Sequence, residues 1–202
     1  MQTPQIGILL LAAGAGSRMK GSVKQLLPYR TLTLIQHSIN VYQSLAVDAR
    51  LVVLGAHQEE ISKQTHWHDF QVAVNADWSQ GMGHSLSYGL ELLLQGNHLD
   101  YVLIALADQP LIERPHLEAL IALAKNNPDK IIQSAFSDET GPPCLFPAHY
   151  FPELLQLNGA HGAKGIAAKY PEACLTLALP EAGTDIDTPA DYEALLRLQS
   201  GS

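Results

Sequence analysis

The stretch Leu11-Ala12-Ala13-Gly14-Ala15-Gly16-Ser17-Arg18-Met19, followed by Lys24-Gln25-Leu26-Leu27, decides how this chain is interpreted. It comes directly after an apolar run, Ile6 to Leu11, that is typical of a buried strand. Because Gly14 and Gly16 carry no side chain, the backbone can turn sharply and its N–H groups can approach an anion. Positive charge follows at Arg18, Lys20 and Lys24. The pattern indicates a phosphate-binding loop, and the alternative is an ordinary glycine-rich turn between a strand and a helix.

Two common phosphate-binding motifs do not fit this loop. The dinucleotide fingerprint needs a third glycine, and Met19 stands at that position. The P-loop needs Gly-Lys-Ser/Thr at its end, whereas Gly21 is followed directly by Ser22. The loop is therefore neither a standard dehydrogenase loop nor a standard ATPase loop.

Composition sets the outer limits of the interpretation. A chain of 202 residues predicts one domain, residues 1–200, with a core of its own. The net charge of −8 argues against nucleic acid as a partner, so an anionic substrate must meet local cations. The two cysteines favour a reduced, cytoplasmic protein, and we expect no signal peptide and no membrane-spanning segment.

Strand and helix patterns alternate along the chain, which predicts an α/β fold of the Rossmann-like kind: a mostly parallel sheet with helices on both faces. The predicted strands are 6–11, 50–54, 71–75, 101–105, 130–135 and 175–179. The predicted helices are 32–45, 59–65, 85–94, 115–125, 154–170 with a glycine-rich break, and 189–198 with Thr188 as its cap.

Asp108 follows a strand that is too apolar to be exposed. A carboxylate there is costly unless it meets a cation or a hydrogen-bond donor, and the alternative is that it caps the next turn. Ligands in open α/β sheets bind beyond the carboxyl ends of the strands. The glycine-rich loop and Asp108 both lie at such ends, so we expect them to face one site.

A second acidic segment, Asp185-Ile186-Asp187-Thr188-Pro189-Ala190-Asp191, offers the partner carboxylate. Alternation places Asp185 and Asp187 on one side if the segment is extended. The alternative is a helix N-terminus rich in acids, and this is how we interpret Asp191.

These motifs resemble those of the nucleotidyltransferases that attach a nucleotide to molybdopterin. The family signature is Leu-Ala-Ala/Gly-Gly-x-Ser/Gly-x-Arg-Met-Gly, a short spacer and Lys-Gln-Leu-Leu, and the Asp-Ile-Asp-Thr-Pro motif matches unchanged. Ala12-Ala13-Gly14 looks like the cytidylyltransferase branch, since the guanylyltransferase branch usually has Ala-Gly-Gly. Lys20 stands where the family usually has glycine, so the loop looks one residue longer.

The resemblance runs along nearly the whole chain and implies a nucleotide-diphospho-sugar transferase-like fold. It assigns Arg18, Lys24 and Asp108 to catalysis, and Asp108 with Asp187 to Mg²⁺, which suits one or two carboxylates plus phosphate oxygens. The implied nucleotide-binding residues are Leu11, Ala12, Ala13, Gly14, Gly16, Ser17, Arg18, Lys24, Asn75, Gly81 and Ser85. Among their neighbours, Trp78 is interpreted as packing beneath the loop, and Gly83 together with Gly81 as letting the loop approach a ligand. His84-Ser85 is expected to begin a helix with free N–H groups.

The acceptor side departs further from the family. Gly141 and Pro143 lie in a stretch resembling the pterin-binding segment, and the alternative is a stiff turn into a strand. The stretch from Leu157 to Lys164 resembles Leu-x-Gly-Asp-x-Gly-Ala-Arg, but Ala160 replaces the Asp and Lys164 replaces the Arg. Lysine lacks the two-pronged donor geometry of arginine. We expect Gly141, Pro143, His161 and Lys164 to bind the acceptor.

The other histidines are interpreted as surface or packing residues. His66 and His68 would lie on one face of a strand, but no cysteine or acidic pattern with zinc spacing surrounds them.

The resemblance implies magnesium-dependent transfer of CMP from CTP to molybdenum-bearing molybdopterin, with release of pyrophosphate. GTP as donor, a sugar phosphate as acceptor, and a noncatalytic carrier serving a client molybdoenzyme stay open as alternatives.

Overall fold

The computed structural model describes residues 3–19 and 21–200, so Lys20 lies outside the described residues. The strands are β1 (Ile6–Ala12), β2 (Pro28–Tyr29), β3 (Leu32–Thr33), β4 (Ala49–Leu54), β5 (Gln71–Val74), β6 (Tyr101–Leu106), β7 (Ile131–Phe136), β8 (Glu139–Pro147) and β9 (Cys174–Ala178). The helices are α1 (Leu34–Gln43), α2 (Gln58–Gln64), α3 (Met82–Leu94), α4 (Arg114–Asn126), α5 (Phe151–Leu154), α6 (Lys164–Lys169) and α7 (Pro189–Ser200).

Within the described ranges, seven strands form one sheet in the order β5-β4-β1-β6-β8-β7-β9. The pairings β1–β4, β1–β6, β4–β5 and β7–β9 are parallel, while β8 runs antiparallel to both β6 and β7. After β1 the chain builds outward through β4 and β5 and then returns to place β6 on the other side of β1. The strand order therefore reverses at β1, which is where α/β sheets form their ligand crevice.

The core lies on both faces of the sheet. On β1, Ile8 and Leu10 face a cluster that includes side chains of α1, α2 and α4, whereas Leu9 faces a second cluster formed with α3, α5 and α6. All of β1 is buried, as expected for a central parallel strand covered by helices on both sides. The predicted α/β class is confirmed, with a sheet that is mostly parallel and helices on both faces.

Three predicted elements differ from the structure. The helix predicted over 154–170 is confirmed only at Leu154 and over residues 164–169, because the expected glycine-rich break is much longer: α5 ends at Leu154 and α6 begins at Lys164. The segment between them lies against the start of α3, where the Gly83 N–H donates to the Gly159 carbonyl at 2.9 Å. Helix α3 begins at Met82, one turn earlier than predicted. Residues 141–146 lie inside strand β8, where the alternative interpretation placed a stiff turn leading into a strand.

The start of α7 confirms the predicted cap. The Asp191 N–H donates to the Thr188 hydroxyl at 3.3 Å, and the Asp191 carboxylate accepts from the Thr188 N–H at 2.7 Å. Asp191 is thus used in the helix start, as the sequence indicated.

Gly89 lets α3 approach the sheet closely. A Cβ at this position would overlap the side chains of Val53 and Leu9. We expect Gly89→Ala to lower the free energy of unfolding by about 1–3 kcal/mol, because the core is already filled.

The measurement is urea unfolding followed by circular dichroism. Gly165→Ala on α6 is the matched control, because a Cβ there would have nothing within 4 Å. This control should leave stability unchanged or raise it by less than about 1 kcal/mol. Equal stability of both variants would contradict the packing argument.

Candidate active site

A first cavity of about 490 Å³ lies beyond the carboxyl ends of β1 and β6. Its walls come from the glycine-rich loop, the loop after β6, the segment before α7 and the start of α3. The lining residues are Leu11, Ala12, Ala13, Gly14, Ala15, Gly16, Ser17, Arg18, Lys24, Gln25, Trp78, Ser79, Gly81, Met82, Ser85, Leu106, Ala107, Asp108, Asp185 and Asp187. Most residues that the sequence assigned to nucleotide and metal binding therefore share one cavity.

The conformation of the glycine-rich loop is fixed by the buried side-chain amide of Gln25. The Gln25 side chain donates to the Ala12 carbonyl at 3.1 Å and to the Gly14 carbonyl at 2.9 Å. Gly16 has a φ of +58°, a conformation that favours glycine. Within residues 3–19 and 21–200, no hydrogen bond uses the N–H groups of Gly14, Ala15 or Gly16. These donors are thus free to meet an anion in the cavity.

Two carboxylates from distant parts of the chain share one ammonium group. Lys24 Nζ lies 2.5 Å from Asp108 Oδ2 and 3.0 Å from Asp187 Oδ1. Arg18 extends the network, with its guanidinium 2.7 Å from Asp187 Oδ2. The Lys24 side chain is 8% exposed, whereas that of Arg18 is 68% exposed. The topological expectation that Asp108 and Asp187 meet is confirmed.

The Lys24 ammonium stays charged in this setting. Burial alone would lower the pKa of Lys24, but the charges and hydrogen bonds of Asp108 and Asp187 outweigh it, so the pKa lies above its ordinary value. Asp108 Oδ1 is buried and has no hydrogen-bond partner among the described residues. An unpartnered buried carboxylate oxygen beside a second carboxylate fits a hard divalent cation.

Backbone contacts fix the two acidic segments to each other. The Ile186 N–H donates to the Asp108 carbonyl at 3.0 Å. The side-chain amide of Gln109, which is 3% exposed, donates to the Ala182 carbonyl at 2.8 Å and to the Pro142 carbonyl at 3.1 Å. One buried amide therefore ties the Asp108 loop to the Asp187 segment and to strand β8.

Helix α1 supports the Asp108 loop from below. The Ser38 hydroxyl donates to the Ala107 carbonyl at 3.0 Å, and His37 Nε2 lies 3.1 Å from the Pro110 carbonyl. Burial and the nearby Arg30 lower the pKa of His37, so the ring is neutral and its Nε2–H serves as the donor.

Asn75 does not line the first cavity, which corrects its assignment to nucleotide binding. Its side-chain NH₂ lies 3.0 Å from the Ser85 hydroxyl and 3.1 Å from His84 Nδ1, and its side-chain oxygen Oδ1 accepts from the Asp77 N–H at 3.0 Å. With its polar atoms engaged, Asn75 holds the loop that presents Trp78 to the cavity. Trp78 also packs against the core, as predicted, and a Cβ at Gly55 would clash with it.

The expected free N–H groups at the start of α3 are partly used. Gly83 donates to the Gly159 carbonyl, and Ser85 donates to the Gly81 carbonyl at 3.2 Å. Gly81 and Ser85 still line the cavity.

A second cavity of about 650 Å³ adjoins the first. The two share Leu11, Met82, Leu106 and Asp185. Its walls are largely apolar and include Phe136, Cys144 and Phe146. Of the predicted acceptor residues, Gly141, His161 and Lys164 line it.

Pro143 does not line the second cavity, which corrects its assignment to the acceptor. Its carbonyl accepts from the Ser134 hydroxyl at 2.6 Å, and Pro142 lines the cavity in its place. At the rim, Lys164 Nζ lies 2.8 Å from Glu139 Oε2, and this ion pair lowers the pKa of Glu139. The sequence did not indicate a role for Glu139, because its partner Lys164 lies far from it along the chain.

Other cavity residues were also missed. Gln25 belongs to the Lys-Gln-Leu-Leu motif and Met82 to the Gly-Met-Gly stretch, so the sequence pointed to both positions, although no role was predicted for either residue. His66 and His68 lie between α2 and β5, not on a strand, with ring centroids 4.3 Å apart. Across the described ranges, no group of three or more His, Cys, Asp or Glu side chains is arranged to hold a metal ion.

Comparison with known families decides the class of protein. The sequence profile of the MobA-like NTP transferase domain matches residues 8–174. The chain belongs to this family. It is accordingly a nucleotidyltransferase, with the nucleotide-diphospho-sugar transferase fold.

Relatives of this MobA-like transferase carry differing names. Purine catabolism protein PucB of Bacillus subtilis is 33% identical over 99% of this chain and 100% of its own length. Nicotine blue oxidoreductase of Paenarthrobacter nicotinovorans is 33% identical over 72% of this chain and 69% of its own. Rv0371c of Mycobacterium tuberculosis is a structural neighbour at 26% identity, with a TM-score of 0.81 over 97% of this chain and 100% of that one. That protein has also been solved with manganese (27% identity, TM-score 0.74, covering 96% and 98%).

Two further expectations concern membrane segments and the extent of the domain. No described helix of this MobA-like transferase has the length and apolar character needed to cross a membrane. The extent of the domain, residues 1–200, stays a prediction.

Asp185 lies where the two cavities of this MobA-like transferase meet. Asp185 keeps solvent-exposed surface, but partial loss of hydration in the cavity, followed by repulsion from Asp108 and then Asp187, raises its pKa to about 6. In the unfolded chain an aspartate titrates near pH ~3.9. Between pH ~3.9 and about 6, Asp185 is therefore more protonated in the folded protein than in the unfolded chain. As the pH rises through this interval, Asp185 lowers the free energy of unfolding.

We expect Asp185→Asn to be more resistant to urea than the unsubstituted protein at pH 7, and the gain to vanish below about pH 4. Since Asp185 is exposed, solvent screening limits the gain to less than about 1 kcal/mol. The unfolding is measured with a metal chelator present. Asp69→Asn, on the surface and outside both cavities, is the control, and a pH-independent gain would contradict this account.

Proposed function

We propose that the protein catalyses magnesium-dependent transfer of CMP from CTP to molybdenum-bearing molybdopterin, releasing pyrophosphate and forming molybdopterin cytosine dinucleotide. One observation carries this proposal. The glycine-rich loop, the cations Arg18 and Lys24, and the carboxylates Asp108 and Asp187 converge in one cavity that adjoins a second, largely apolar cavity. A donor and an acceptor can thus meet at the boundary between them.

The first cavity suits a nucleoside triphosphate. The N–H groups of Gly14 to Gly16 would hold phosphate oxygens, and Arg18 and Lys24 would neutralise their charge. Gln25 keeps the loop in shape before the nucleotide binds, so little ordering remains to be done on binding.

Asp108 and Asp187 would hold Mg²⁺, since the unpartnered Asp108 Oδ1 and the neighbouring carboxylate are ligands of the kind that this ion prefers. When bound, the ion neutralises charge on the triphosphate and on the departing pyrophosphate. The Asp108–Ile186 backbone bond and the Gln109 amide keep these carboxylates at a constant separation.

The reaction needs positioning and charge neutralisation more than a covalent residue. An oxygen of the acceptor phosphate attacks the α-phosphorus of CTP, a new phosphorus–oxygen bond forms, and the bond to pyrophosphate breaks. The attacking phosphate is already ionised, so no side chain has to remove a proton. Arg18 and Lys24 stabilise the negative charge that collects on the leaving pyrophosphate.

The choice of CTP rests on the Ala12-Ala13-Gly14 pattern, which resembles the cytidylyltransferase branch. Ala13 lines the first cavity and is buried, and its carbonyl accepts from the Ala56 N–H at 3.1 Å. GTP is the alternative donor.

The choice of molybdopterin rests on the resemblance of the motifs around Gly141 and Gly159. The second cavity has room for an acceptor beside the first, because its largely apolar lining includes the partly exposed Phe136 and polar groups such as His161 and Lys164. Lys164 is paired with Glu139, so the cation that replaces the family's arginine is already partly neutralised. A sugar phosphate is the alternative acceptor. We further propose that the product serves a client molybdoenzyme and that the reaction takes place in the cytoplasm, given two free cysteines.

The deciding experiment measures pyrophosphate release with each nucleoside triphosphate in turn, with Mg²⁺ and molybdenum-loaded molybdopterin. We expect turnover with CTP and little with GTP. Equal or greater turnover with GTP would overturn the base assignment. Tight CTP binding without release, with acceptor that a working control enzyme consumes, would indicate another acceptor or a carrier.

Asp108→Asn tests the metal-binding carboxylate. We expect pyrophosphate release to fall by roughly a hundredfold or more, since metal ions contribute several kcal/mol to such reactions. The melting temperature should change little, because the backbone bond to Ile186 is kept. Asp69→Asn, away from both cavities, should retain full activity. Undiminished turnover of Asp108→Asn would rule out the assigned role.

A further inference from the structure

The Lys24 ammonium lies between the two carboxylates that we assign to the metal ion. It contacts Asp108 Oδ2 at 2.5 Å and Asp187 Oδ1 at 3.0 Å. We propose that Lys24 makes the site select a metal ion already bound to a triphosphate over the free metal ion. This inference rests on the proposed function, because it takes Asp108 and Asp187 as metal-binding residues.

The charges explain why a free metal ion would be excluded. Asp108 and Asp187 face two cations, Lys24 and Arg18, so the charges of these four groups cancel, and Asp185 adds a further carboxylate to the same cavity. Lys24 and Asp108 are mostly shielded from solvent, with side chains 8% and 23% exposed, so water screens their attraction poorly. A free divalent cation would have to displace the ammonium while offering it no new partner.

A bound triphosphate removes this obstacle. The stem of Lys24 passes beside the glycine-rich loop, where a Cβ at Gly16 would lie 3.2 Å from Lys24 Cβ. Phosphate oxygens held by that loop would therefore give the flexible ammonium new acceptors within reach of its present position. Gln25 anchors the neighbouring backbone to Ala12 and Gly14, so the side chain of Lys24 can move while the loop stays in place.

Lys24→Met tests the proposal because methionine keeps an unbranched apolar stem and removes the charge. The probe is Mn²⁺ alone, titrated without nucleotide and followed by the electron paramagnetic resonance signal of the free ion. We expect Lys24→Met to bind Mn²⁺ at least about tenfold more tightly than the unsubstituted protein, since one adjacent charge shifts an ionic equilibrium by ~1–3 pKa units. Binding of CTP in the presence of Mn²⁺ should weaken in the same variant.

The opposite signs of these two effects separate the proposal from a merely structural role, which would weaken both. Lys24→Gln should behave as Lys24→Met does, and Lys24→Arg should keep the weak affinity for the free ion. Lys169→Met removes an equal charge from an ion pair with Glu153, lines neither cavity, and should leave Mn²⁺ binding unchanged. Far-UV circular dichroism and thermal unfolding establish that each variant is folded.

The outcomes distinguish this inference from the proposed function. If the unsubstituted protein binds Mn²⁺ together with CTP, but folded Lys24→Met and Lys24→Gln bind free Mn²⁺ no more tightly, the selection by Lys24 is overturned and the metal assignment stands. If Mn²⁺ binds none of these proteins, with or without CTP, the metal assignment and the selection fall together.

Discussion

One backbone hydrogen bond, from the Ile186 N–H to the Asp108 carbonyl, joins the two segments whose carboxylates meet at Lys24. The rest of the site depends on this contact. This hydrogen bond places the segment before α7 beside the loop after β6. As a result, the carboxylates of Asp108 and Asp187 both contact the Lys24 ammonium. The buried side-chain amide of Gln109 adds hydrogen bonds to the Ala182 and Pro142 carbonyls. It thereby connects the loop after β6 to the segment before α7 and to strand β8.

The sheet determines where these parts converge. The strand order reverses at β1, so the loops after β1 and β6 leave the sheet side by side and neither is covered by a crossover helix. Strand β8 is antiparallel to β6 and β7, so its Gly141 and Pro142 lie near the carboxyl ends of the parallel strands and line the second cavity. The loops that follow parallel strands thus provide the glycine-rich segment and Asp108, and the single antiparallel strand of the described sheet provides a wall of the second cavity.

Much of this arrangement could be predicted from the sequence, because its signals are local. The apolar strands, the glycine-rich loop and the position of Asp108 at a strand end each follow from a few neighbouring residues. The errors lie where distant contacts decide the structure. The glycine-rich break predicted within 154–170 covers residues 155–163, because this segment packs against the start of α3. Asn75 looks available for a ligand until its contacts with Ser85 and His84 are seen. The ion pairs of Lys24 with Asp108 and Asp187, and of Lys164 with Glu139, could not be predicted. They join residues that are far apart in the sequence and meet only in the folded chain.

The contact between α3 and the loop at Gly159 has a consequence for how the second cavity can be varied. A Cβ at Gly81 or Gly83 would overlap the backbone of that loop, so the loop is seated on bare main chain. Its side chains, by contrast, point into accessible space: Ala160 and His161 are exposed and line the second cavity. The backbone of this loop is therefore fixed by its contact with α3, whereas its side chains can be substituted without disturbing that contact. Substitutions at Ala160 and His161 change the lining of the second cavity one side chain at a time, while the backbone contact with α3 is kept.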